Sequence, residues 1–566
     1  MNKRRAIILN TAIVFSFCLI FLRLADLMIF NHGRLSERAK QQHIKVEDVQ
    51  ARRGIIFDRR GRELALNIEL ESLYCDPESL NLDRESLIKL SSAISKESKV
   101  ILSKIPEQGR FAWIERKIDP EIVKKVKELD IKGMGFINEA KRFYPKREIA
   151  SHVLGCVGID NQALEGIELQ YDSHLKTSGG KVFLGRDANG NTLSSGEDTE
   201  AQGNNVVLTI DEGLQYIIEK EIDKAMSKWK ATGMSVIMMD PFTGEILALA
   251  NSPSYNPNNP GRTSNSDRRN RAITDCYEPG STFKIVIGVA ALEEMIVKPN
   301  ALFDVSKGYI NVGGKVIHDD HKHKSLTFRE IIQRSSNVGI ITVGMKLGEE
   351  KIFKYAKLLG FGDKTGIDLP GEISGWIPSP EKWSGTSIGA ISIGYEVAVT
   401  PLQILRAYST IANGGYLVNP YVVSEIISPE GQIVASFRNS GKKRIISTRT
   451  AEAFKNILKS VAEEGGTGIN ASIKGNGVAG KTGTTRIIDP KTNMYSREKF
   501  ISSFVGFVPA DNPNLAMIVV IHEPKGASYG GMVAAPVFRD IAEQALSYLK
   551  IPREDYPLKN YLLVSR

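Results

Sequence analysis

The stretch Glu278-Pro-Gly-Ser281-Thr-Phe-Lys284 places a serine and a lysine one helical turn apart, directly after a Pro-Gly pair. The residues that follow, 284–295, are almost wholly apolar, so the pattern predicts a buried helix that begins near Ser281. On such a helix the hydroxyl of Ser281 and the amine of Lys284 share one face. A neighbouring base is what a serine needs to act as a nucleophile, so this pairing indicates acyl-transfer chemistry.

Lys284 is an amine within an apolar run. Desolvation and a nearby Lys481 would both lower its pKa, towards a neutral amine that can accept a proton. The start of the helix also offers free backbone N–H groups, so that of Ser281 could help hold a developing oxyanion. Taken alone, the motif also fits an ordinary helix start with a lysine that reaches solvent, because short motifs recur by chance.

A second motif, Ser335-Ser-Asn337, lies between a helical pattern at 327–334 and the apolar segment 338–347. Residues two apart point in different directions on a helix, so the motif predicts a turn. There Ser335 could relay protons between Lys284 and a leaving amine, and the Asn337 amide could hydrogen-bond substrate backbone. A plain Ser/Asn turn or a helix cap is the alternative for these residues in isolation.

The third motif, Lys481-Thr-Gly-Thr484, reads as a short strand followed by a polar loop. Gly483 removes a side chain where another backbone must come close, which suits a peptide beside an open strand edge. Lys481 and the Thr482 and Thr484 hydroxyls would suit a C-terminal carboxylate, and the N–H of Thr484 would complete the oxyanion hole. A Gly-containing turn would explain neither the lysine nor the threonines.

The chain has 566 residues, of which 42% are hydrophobic and 25% charged, ample for two or three domains. Residues 33–175 mix strand-like runs with charged helices, and a Gly/Ser/Asn/Asp-rich stretch at 176–205 indicates a boundary. Beyond it we predict an α+β catalytic domain at 206–550, an antiparallel sheet flanked by helices with a helical subdomain, and a tail at 551–566. Its sheet elements and closing helix are predicted at 236–249, 501–508, 516–522 and 535–549.

The N-terminus begins with a basic cluster, Met1-Asn-Lys-Arg-Arg5, and continues with a mostly apolar stretch at 6–22. That stretch is long enough to span a bilayer, and no convincing cleavage site follows it. Residues 1–32 are therefore predicted to form a cytoplasmic tail and a single uncleaved transmembrane anchor. The basic cluster places the N-terminus in the cytoplasm and the rest outside the membrane. A signal peptide cleaved at an unrecognised site is the alternative.

The formal net charge is +9, which can indicate nucleic-acid binding. An exported chain has no access to nucleic acid and no such motif is present, so anionic membrane or wall polymers are the better match. The four cysteines, at 18, 75, 156 and 276, are scattered and form neither a disulfide framework nor a metal-ligand spacing. The cluster His318-Asp-Asp-His321-Lys-His323 reads as a solvated loop, with zinc binding as the alternative. We predict neither a metal nor a cofactor.

The ordered set S-x-x-K, S-x-N and K-T-G is the signature of penicillin-binding proteins and class A β-lactamases. Over nearly its whole length the chain resembles the class B penicillin-binding proteins, monofunctional peptidoglycan D,D-transpeptidases. The resemblance extends to the anchor, to Arg53-Gly-Ile-Ile-Phe-Asp58 and to Ala163-Leu-Glu-Gly-Ile-Glu168. It implies the transpeptidase fold on a mixed α/β pedestal, a dimerisation-type domain with its linker at 33–205.

Within the family, Thr274-Asp-Cys-Tyr-Glu-Pro-Gly280 and the stretch 523–536 resemble the division-specific, septal branch. Asn337 agrees, since elongation-type relatives often carry Asp there. The resemblance implies that Ser281 attacks the D-Ala-D-Ala carbonyl of a peptidoglycan stem peptide, releases D-Ala and passes the acyl group to an amine on a neighbouring stem. Penicillins and other β-lactams would acylate the same serine. Thr485 departs from the pattern, because relatives commonly carry a small residue at that position.

The resemblance also implies partners, a membrane glycan polymerase and other division proteins, at the septum. Other functions compete with this one. A β-lactamase would need a deacylating carboxylate, and a β-lactam sensor a segment that carries the signal. A catalytically idle division scaffold would not need three intact motifs. An elongation-type transpeptidase shares every catalytic residue, so that alternative stays open.

Overall fold

The computed structural model describes residues 3–26, 28, 31, 44–48, 52–176, 181–186, 192–193, 202–438, 441–489 and 491–554. Two compact units make up the chain. One combines Met1–Arg52 with Lys176–Gly203, and the other combines Arg53–Leu175 with Asn204–Arg566. Much of the predicted linker at 176–205, and the tail beyond residue 554, lie outside the described residues.

The first unit contains the helix Lys3–Ala25 and a three-stranded sheet of Ile44–Asp48, Lys181–Arg186 and Thr192–Leu193. The part of the helix from Ile7 to Ala25 is long and apolar enough to cross a membrane. Its apolar side chains are exposed, as those of a lipid-facing helix are. The helix is therefore consistent with the single-pass anchor predicted from the stretch 6–22.

A five-stranded antiparallel sheet forms the centre of the second unit. Its strands follow the order Ile246–Ser252, Gly233–Met239, Leu515–His522, Met494–Val508 and Ala479–Asp489. The hairpin and the strands expected at 501–508 and 516–522 are thus confirmed. We call Ala479–Asp489 the KTG strand; it is an edge strand of this sheet.

The KTG strand is longer than the sequence suggested. It continues through Thr485 and Arg486 to Asp489 and pairs with Met494–Val508, so the expected polar loop after Thr484 is in fact a two-stranded ribbon. Two consecutive isoleucines at 487 and 488, with their β-branched side chains, favour this extension. The ribbon therefore projects beyond the third motif instead of turning away from it.

Helices cover both faces of the sheet, as the α+β prediction requires. On one face, Glu212–Trp229 and Gly530–Tyr548 pack through Leu214, Ile218 and Phe538 against sheet residues such as Val236. On the other face lies the helical subdomain. Its main helices are Lys284–Glu293, Phe328–Gln333, Asn337–Leu347, Glu349–Leu358, Ser387–Ser392, Pro401–Ala412 and Thr448–Val461. Short strand pairs border them, namely Leu302–Asp304 with Ser325–Thr327, Tyr309–Val312 with Lys315–His318, and Tyr416–Leu417 with Lys443–Arg444.

The last helix begins at Gly530, five residues before the predicted start at 535. Two glycines are poor helix formers, which is why the sequence pattern missed them. A Cβ on Gly530 would lie 2.3 Å from the carbonyl oxygen of Gly483, so only a glycine lets the helix start this close to the KTG strand. Packing against the third motif thus determines where this helix begins.

A seven-stranded sheet connects the predicted pedestal with the predicted catalytic domain. Its order is Ile433–Ser436, Val423–Ile427, Asn205–Leu208, Ile56–Phe57, Glu63–Cys75 and Ala112–Ile118, with Met134–Phe143 also paired to Glu63–Cys75. The pair Ile56 and Val206 is parallel and bridges the two regions. Helices Arg84–Ala93, Ser98–Ser103 and Pro120–Lys127 add residues to a small separate core with this sheet. Backbone hydrogen bonds therefore cross the boundary predicted near residue 205.

The two pedestal stretches quoted from the sequence meet at a buried ion cluster. Arg53 Nη2 and Arg142 Nε contact the Glu168 carboxylate at 2.8 and 2.6 Å, and Tyr144 donates to it at 3.2 Å. Arg53 also pairs with Asp172. We call these five residues the Glu168 cluster. Because it joins segments far apart in sequence, it holds this part of the second unit together.

Candidate active site

Ser281 lies in a single 3-10 turn, Gly280–Phe283, which leads directly into the helix Lys284–Glu293. Gly280 has a φ of +56°, and a Cβ there would lie 2.5 Å from the Thr485 methyl and 3.2 Å from the Thr484 carbonyl. Glycine is therefore required both for the backbone conformation and for the close approach. As predicted, a helix begins near Ser281, and the turn brings that residue against the KTG strand.

Ser281, Lys284, Ser335 and Asn337 form one hydrogen-bonded group. Ser335 Oγ donates to Ser281 Oγ at 2.9 Å, and Lys284 Nζ donates to Ser335 Oγ at 3.1 Å. The same amine donates to the Ser335 carbonyl at 2.6 Å and to Asn337 Oδ1 at 2.9 Å. The first two motifs therefore meet as expected, with one difference. The amine connects to Ser281 by way of the Ser335 hydroxyl, where the helical spacing alone predicted a direct contact.

The predicted turn at the second motif is confirmed and is short. Ser335 has a φ of +58°, a left-handed conformation that is uncommon for a serine. Ser336 then caps the next helix by accepting from the Gly339 N–H at 2.9 Å, and Asn337 is the first residue of that helix, Asn337–Leu347. Strained backbone at a residue that contacts the candidate nucleophile is typical of functional sites.

Asp319 belongs to the candidate site, although no sequence pattern indicated it. One carboxylate oxygen accepts from the N–H groups of Asn337 and Val338, the latter at 3.0 Å, and the other accepts from Ser336 Oγ at 2.7 Å. The segment 318–323, interpreted above as a solvated loop, thus anchors the second motif. No spacing in the sequence links residue 319 to 337. Within the described ranges, no group of three or more His, Cys, Asp or Glu is placed to hold a metal ion.

Burial changes the protonation of both lysines. It lowers the pKa of Lys284 to about 7, although the nearby carboxylates of Asp319 and Asp320 oppose the shift. Burial and the neighbouring Lys284 together lower the pKa of Lys481 well below its ordinary value. Lys284 is thus poised between its base and acid forms near neutral pH. Lys481 would regain its charge most readily when an anion lies beside it.

The hydroxyls of the third motif lie near the N-terminus of the last helix. Thr482 Oγ1 lies 2.9 Å from Thr467 Oγ1, and Thr484 Oγ1 accepts from the Gly530 N–H at 2.9 Å. Lys481 Nζ contacts Thr482 Oγ1 at 3.3 Å. The helix N-terminus adds a positive dipole end to this group, a contribution that the sequence did not reveal. Thr467, in a Gly-rich turn, was likewise missed.

Gly483 and Thr485 both face the turn that holds Ser281. A Cβ on Gly483 would lie 2.4 Å from Ser503 Oγ and 3.1 Å from the Pro279 carbonyl. The absence of a side chain at Gly483 therefore lets the backbone of the Ser281 turn come close to the KTG strand. Thr485 is buried with its methyl group towards Gly280, so this departure from the family pattern fills space beneath the turn.

The chain is similar to known protein families and to individual relatives. The family of the penicillin binding protein transpeptidase domain matches residues 234–543, and the penicillin-binding protein dimerisation domain matches residues 48–208. The peptidoglycan D,D-transpeptidase FtsI of Escherichia coli is 32% identical over 94% of this chain and 89% of its own length. The chain belongs to the class B penicillin-binding proteins.

Two further relatives of this class B penicillin-binding protein extend the comparison. Stage V sporulation protein D of Bacillus subtilis is 35% identical, over 99% of this chain and 88% of its own length. The crystal structure of penicillin binding protein 3 from Mycobacterium tuberculosis complexed with aztreonam superposes with a TM-score of 0.70 at 26% identity, covering 89% of this chain and 97% of that one. The predicted fold class and family are thereby confirmed.

Proposed function

We propose that this peptidoglycan D,D-transpeptidase cross-links stem peptides through an acyl-enzyme on Ser281. The observation that carries the proposal is the hydrogen-bonded path from Ser281 through Ser335 to Lys284. Burial lowers the pKa of Lys284 to about 7, so a large share of this amine is neutral at physiological pH and can accept a proton. A serine with a base at the end of such a path is an activated nucleophile.

The reaction then follows two matched halves. Ser281 Oγ attacks the carbonyl of the penultimate D-Ala while its proton moves through Ser335 to Lys284. The N–H groups of Ser281 and Thr484 stabilise the oxyanion. The C–N bond breaks, the proton passes to the leaving D-Ala amine, and an ester remains on Ser281. An acceptor amine then attacks the ester, gives up a proton along the same path, and Ser281 leaves with that proton restored.

The terminal carboxylate of the donor peptide would bind at the third motif. Lys481 supplies a charge, and Thr482 and Thr484 supply hydroxyls beside the N-terminus of the helix Gly530–Tyr548. Gly483 keeps the strand close to the Ser281 turn. The donor peptide would thus extend along the open edge of the KTG strand.

Covalent labelling tests the nucleophile. Full-length Ser281→Ala protein should show no labelling by a fluorescent penicillin, because the ester can then no longer form. The exposed serine variant Ser266→Ala is the matched control and should label as the wild type does. Labelling that persists in Ser281→Ala would refute this assignment.

We further propose that the enzyme acts in septal wall synthesis. The similarity to FtsI and the Asn at position 337 support this role. A fluorescent fusion of the full chain should concentrate at midcell, and depletion should give filaments. Side-wall fluorescence with rounding of depleted cells would instead establish the elongation role.

The same proposal assigns the parts of the chain outside the catalytic domain. Residues 1–32 would anchor the protein with its N-terminus in the cytoplasm, and this anchor together with the pedestal at 33–205 would contact a membrane glycan polymerase. Replacing residues 1–32 with an unrelated single-pass anchor should leave penicillin binding intact and abolish support of division. Full complementation by that chimera would show that no partner needs to bind the natural anchor.

A further inference from the structure

Glu278 is a partly buried carboxylate close to Ser281 that the proposed reaction does not use. It precedes the Pro-Gly pair of the first motif. Its Oε1 accepts from the Glu396 N–H at 2.9 Å and from the Tyr495 hydroxyl at 3.0 Å. Burial raises the pKa of this carboxyl, and the hydrogen bonds from Glu396 and Tyr495 oppose that shift. Two donors from separate segments therefore hold the carboxylate in a fixed position.

Two aromatic rings stand beside this carboxylate. Tyr495 lies on the strand Met494–Val508 of the ribbon, and its ring meets that of Tyr395 edge to face, with the centroids 5.4 Å apart. The Tyr395 hydroxyl lies near the backbone of Arg486 on the KTG strand. A carboxylate flanked by aromatic rings is the environment that proteins offer to an ammonium group. Three parts of the fold thus converge on a site suited to an organic cation.

The direction of the donor peptide brings such a cation here. Its terminal carboxylate lies at Thr482 and Thr484 in the proposed complex, so the rest of the peptide must run the other way, past Arg486. A strand advances about 3.3 Å per residue, so Arg486 is roughly 7 Å beyond Thr484. The stem residue before the two D-Ala residues is a diamino acid. Its side chain is long enough to reach from the peptide backbone to the carboxylate of Glu278.

We propose that Glu278, Tyr395 and Tyr495 bind the side-chain ammonium of the diamino acid in the donor stem. This inference rests on the proposed function and adds the specificity of its donor site. Arg486, whose side chain is exposed at the same place, would contact a carboxylate if the diamino acid carries one beside its amine. The shared chemistry is thus the ammonium, supplied by lysine or by diaminopimelate.

The test uses the full-length protein and synthetic pentapeptide stems that end in D-Ala-D-Ala. The third residue is either lysine or norleucine, which has no amine, and D-Ala release measures donor use. A charge-assisted hydrogen bond corresponds to roughly ten- to a hundredfold, so the wild type should prefer lysine by that factor. In Glu278→Gln the ratio should fall to near one. Lys491→Gln, which alters a charge at the ribbon tip, should keep the wild-type ratio.

A diaminopimelate stem distinguishes the two sources of the ammonium. If the enzyme reads the adjacent carboxylate, diaminopimelate should be used faster than lysine, and Arg486→Gln should remove that difference. Equal use of the two stems would assign the site to the ammonium alone, which still supports the proposal.

Two results would overturn the inference. One is equal use of lysine and norleucine donors by the wild type. The other is a lysine preference that appears only when the peptide serves as acceptor, which would place the ammonium on the second substrate. Failure of the proposed function looks different, because penicillin would then not label Ser281 at all.

Discussion

The Glu168 cluster and the two lysines of the candidate active site bury positive charge in two different ways. Arg142, Lys284 and Lys481 are each at most 3% exposed. In the Glu168 cluster, Arg53 and Arg142 contact the Glu168 carboxylate at 2.8 and 2.6 Å. At the active site, the hydrogen bonds that the structure gives the two amines end on neutral oxygens, such as those of Ser335 and Thr482.

This difference separates a structural role from a chemical one. A paired buried charge keeps its charge and fixes the geometry of its partners. An amine buried among neutral groups instead loses its proton more easily, which turns it into a base. Burial is therefore offset by ion pairing in the Glu168 cluster, whereas at the two lysines it favours the neutral amine. Substitutions at each centre should reveal that contrast.

The largest effect is expected at Lys284. Lys284→Ala leaves Ser281 in place but removes the proton acceptor, so penicillin acylation should slow by roughly two to four orders of magnitude. Stopped-flow or gel-based labelling would measure the rate, with the exposed Lys298→Ala as a matched control. A Lys284→Ala rate within a factor of ten of the wild type would mean that another group takes the proton.

At the Glu168 cluster the corresponding change should affect stability. Glu168→Gln leaves Arg53 and Arg142 buried without their shared carboxylate, and breaking a buried pair destabilises by about 3–5 kcal/mol. Thermal unfolding should show a markedly lower Tm, whereas Glu107→Gln, at an exposed site, should not change it. An unchanged Tm in Glu168→Gln would mean that the Glu168 cluster does not have the structural role that distinguishes it from the two lysines.

Lys481 sharpens the comparison, because it is proposed to be charged only with substrate bound. Lys481→Arg should retain more acylation than Lys481→Ala, which should lose roughly ten- to a hundredfold. The second-order acylation constant is the quantity to compare. Equal losses in both variants would indicate that Lys481 serves in proton transfer or that its exact shape is what matters.

The smallest effect concerns pH. In the proposed reaction deprotonated Lys284 is the active form, so acylation should rise with pH through a midpoint near the pKa of about 7. Asp319 raises that pKa, so Asp319→Asn should move the midpoint to lower pH. Ser306→Ala, outside the relay, should keep the wild-type profile. A midpoint that moves upward in Asp319→Asn would contradict the electrostatic role given to Asp319.

Local patterns predicted much of this architecture. Ser281 and Lys284 are linked by helical spacing, and the predicted strands at 501–508 and 516–522 show the apolar runs of a buried sheet. Those signals depend only on residues that are close in sequence, so they can be recognised without a structure. The family motifs then indicated which segments belong to one site.

The remaining features depend on contacts between distant segments. Asp319 caps a helix that starts at Asn337, and Thr467 reaches Thr482 from a separate turn, with no periodicity to connect them. The helix start at Gly530 runs against helix propensity because close packing requires glycine there. Such long-range geometry overrides local preference, which is why the sequence placed this helix start too late.

The sheet that pairs Ile56 with Val206 also has a mechanical consequence. An enzyme joined covalently to a growing wall strand through its acyl group would feel tension whenever that strand is pulled. Within the second unit, Ile56 and Phe57 pair in parallel with Val206 and Val207, so such a force would load the backbone hydrogen bonds of this pairing together. A single flexible tether between catalytic domain and pedestal would stretch instead. This fold is therefore suited to holding Ser281, the proposed nucleophile, steady under tension.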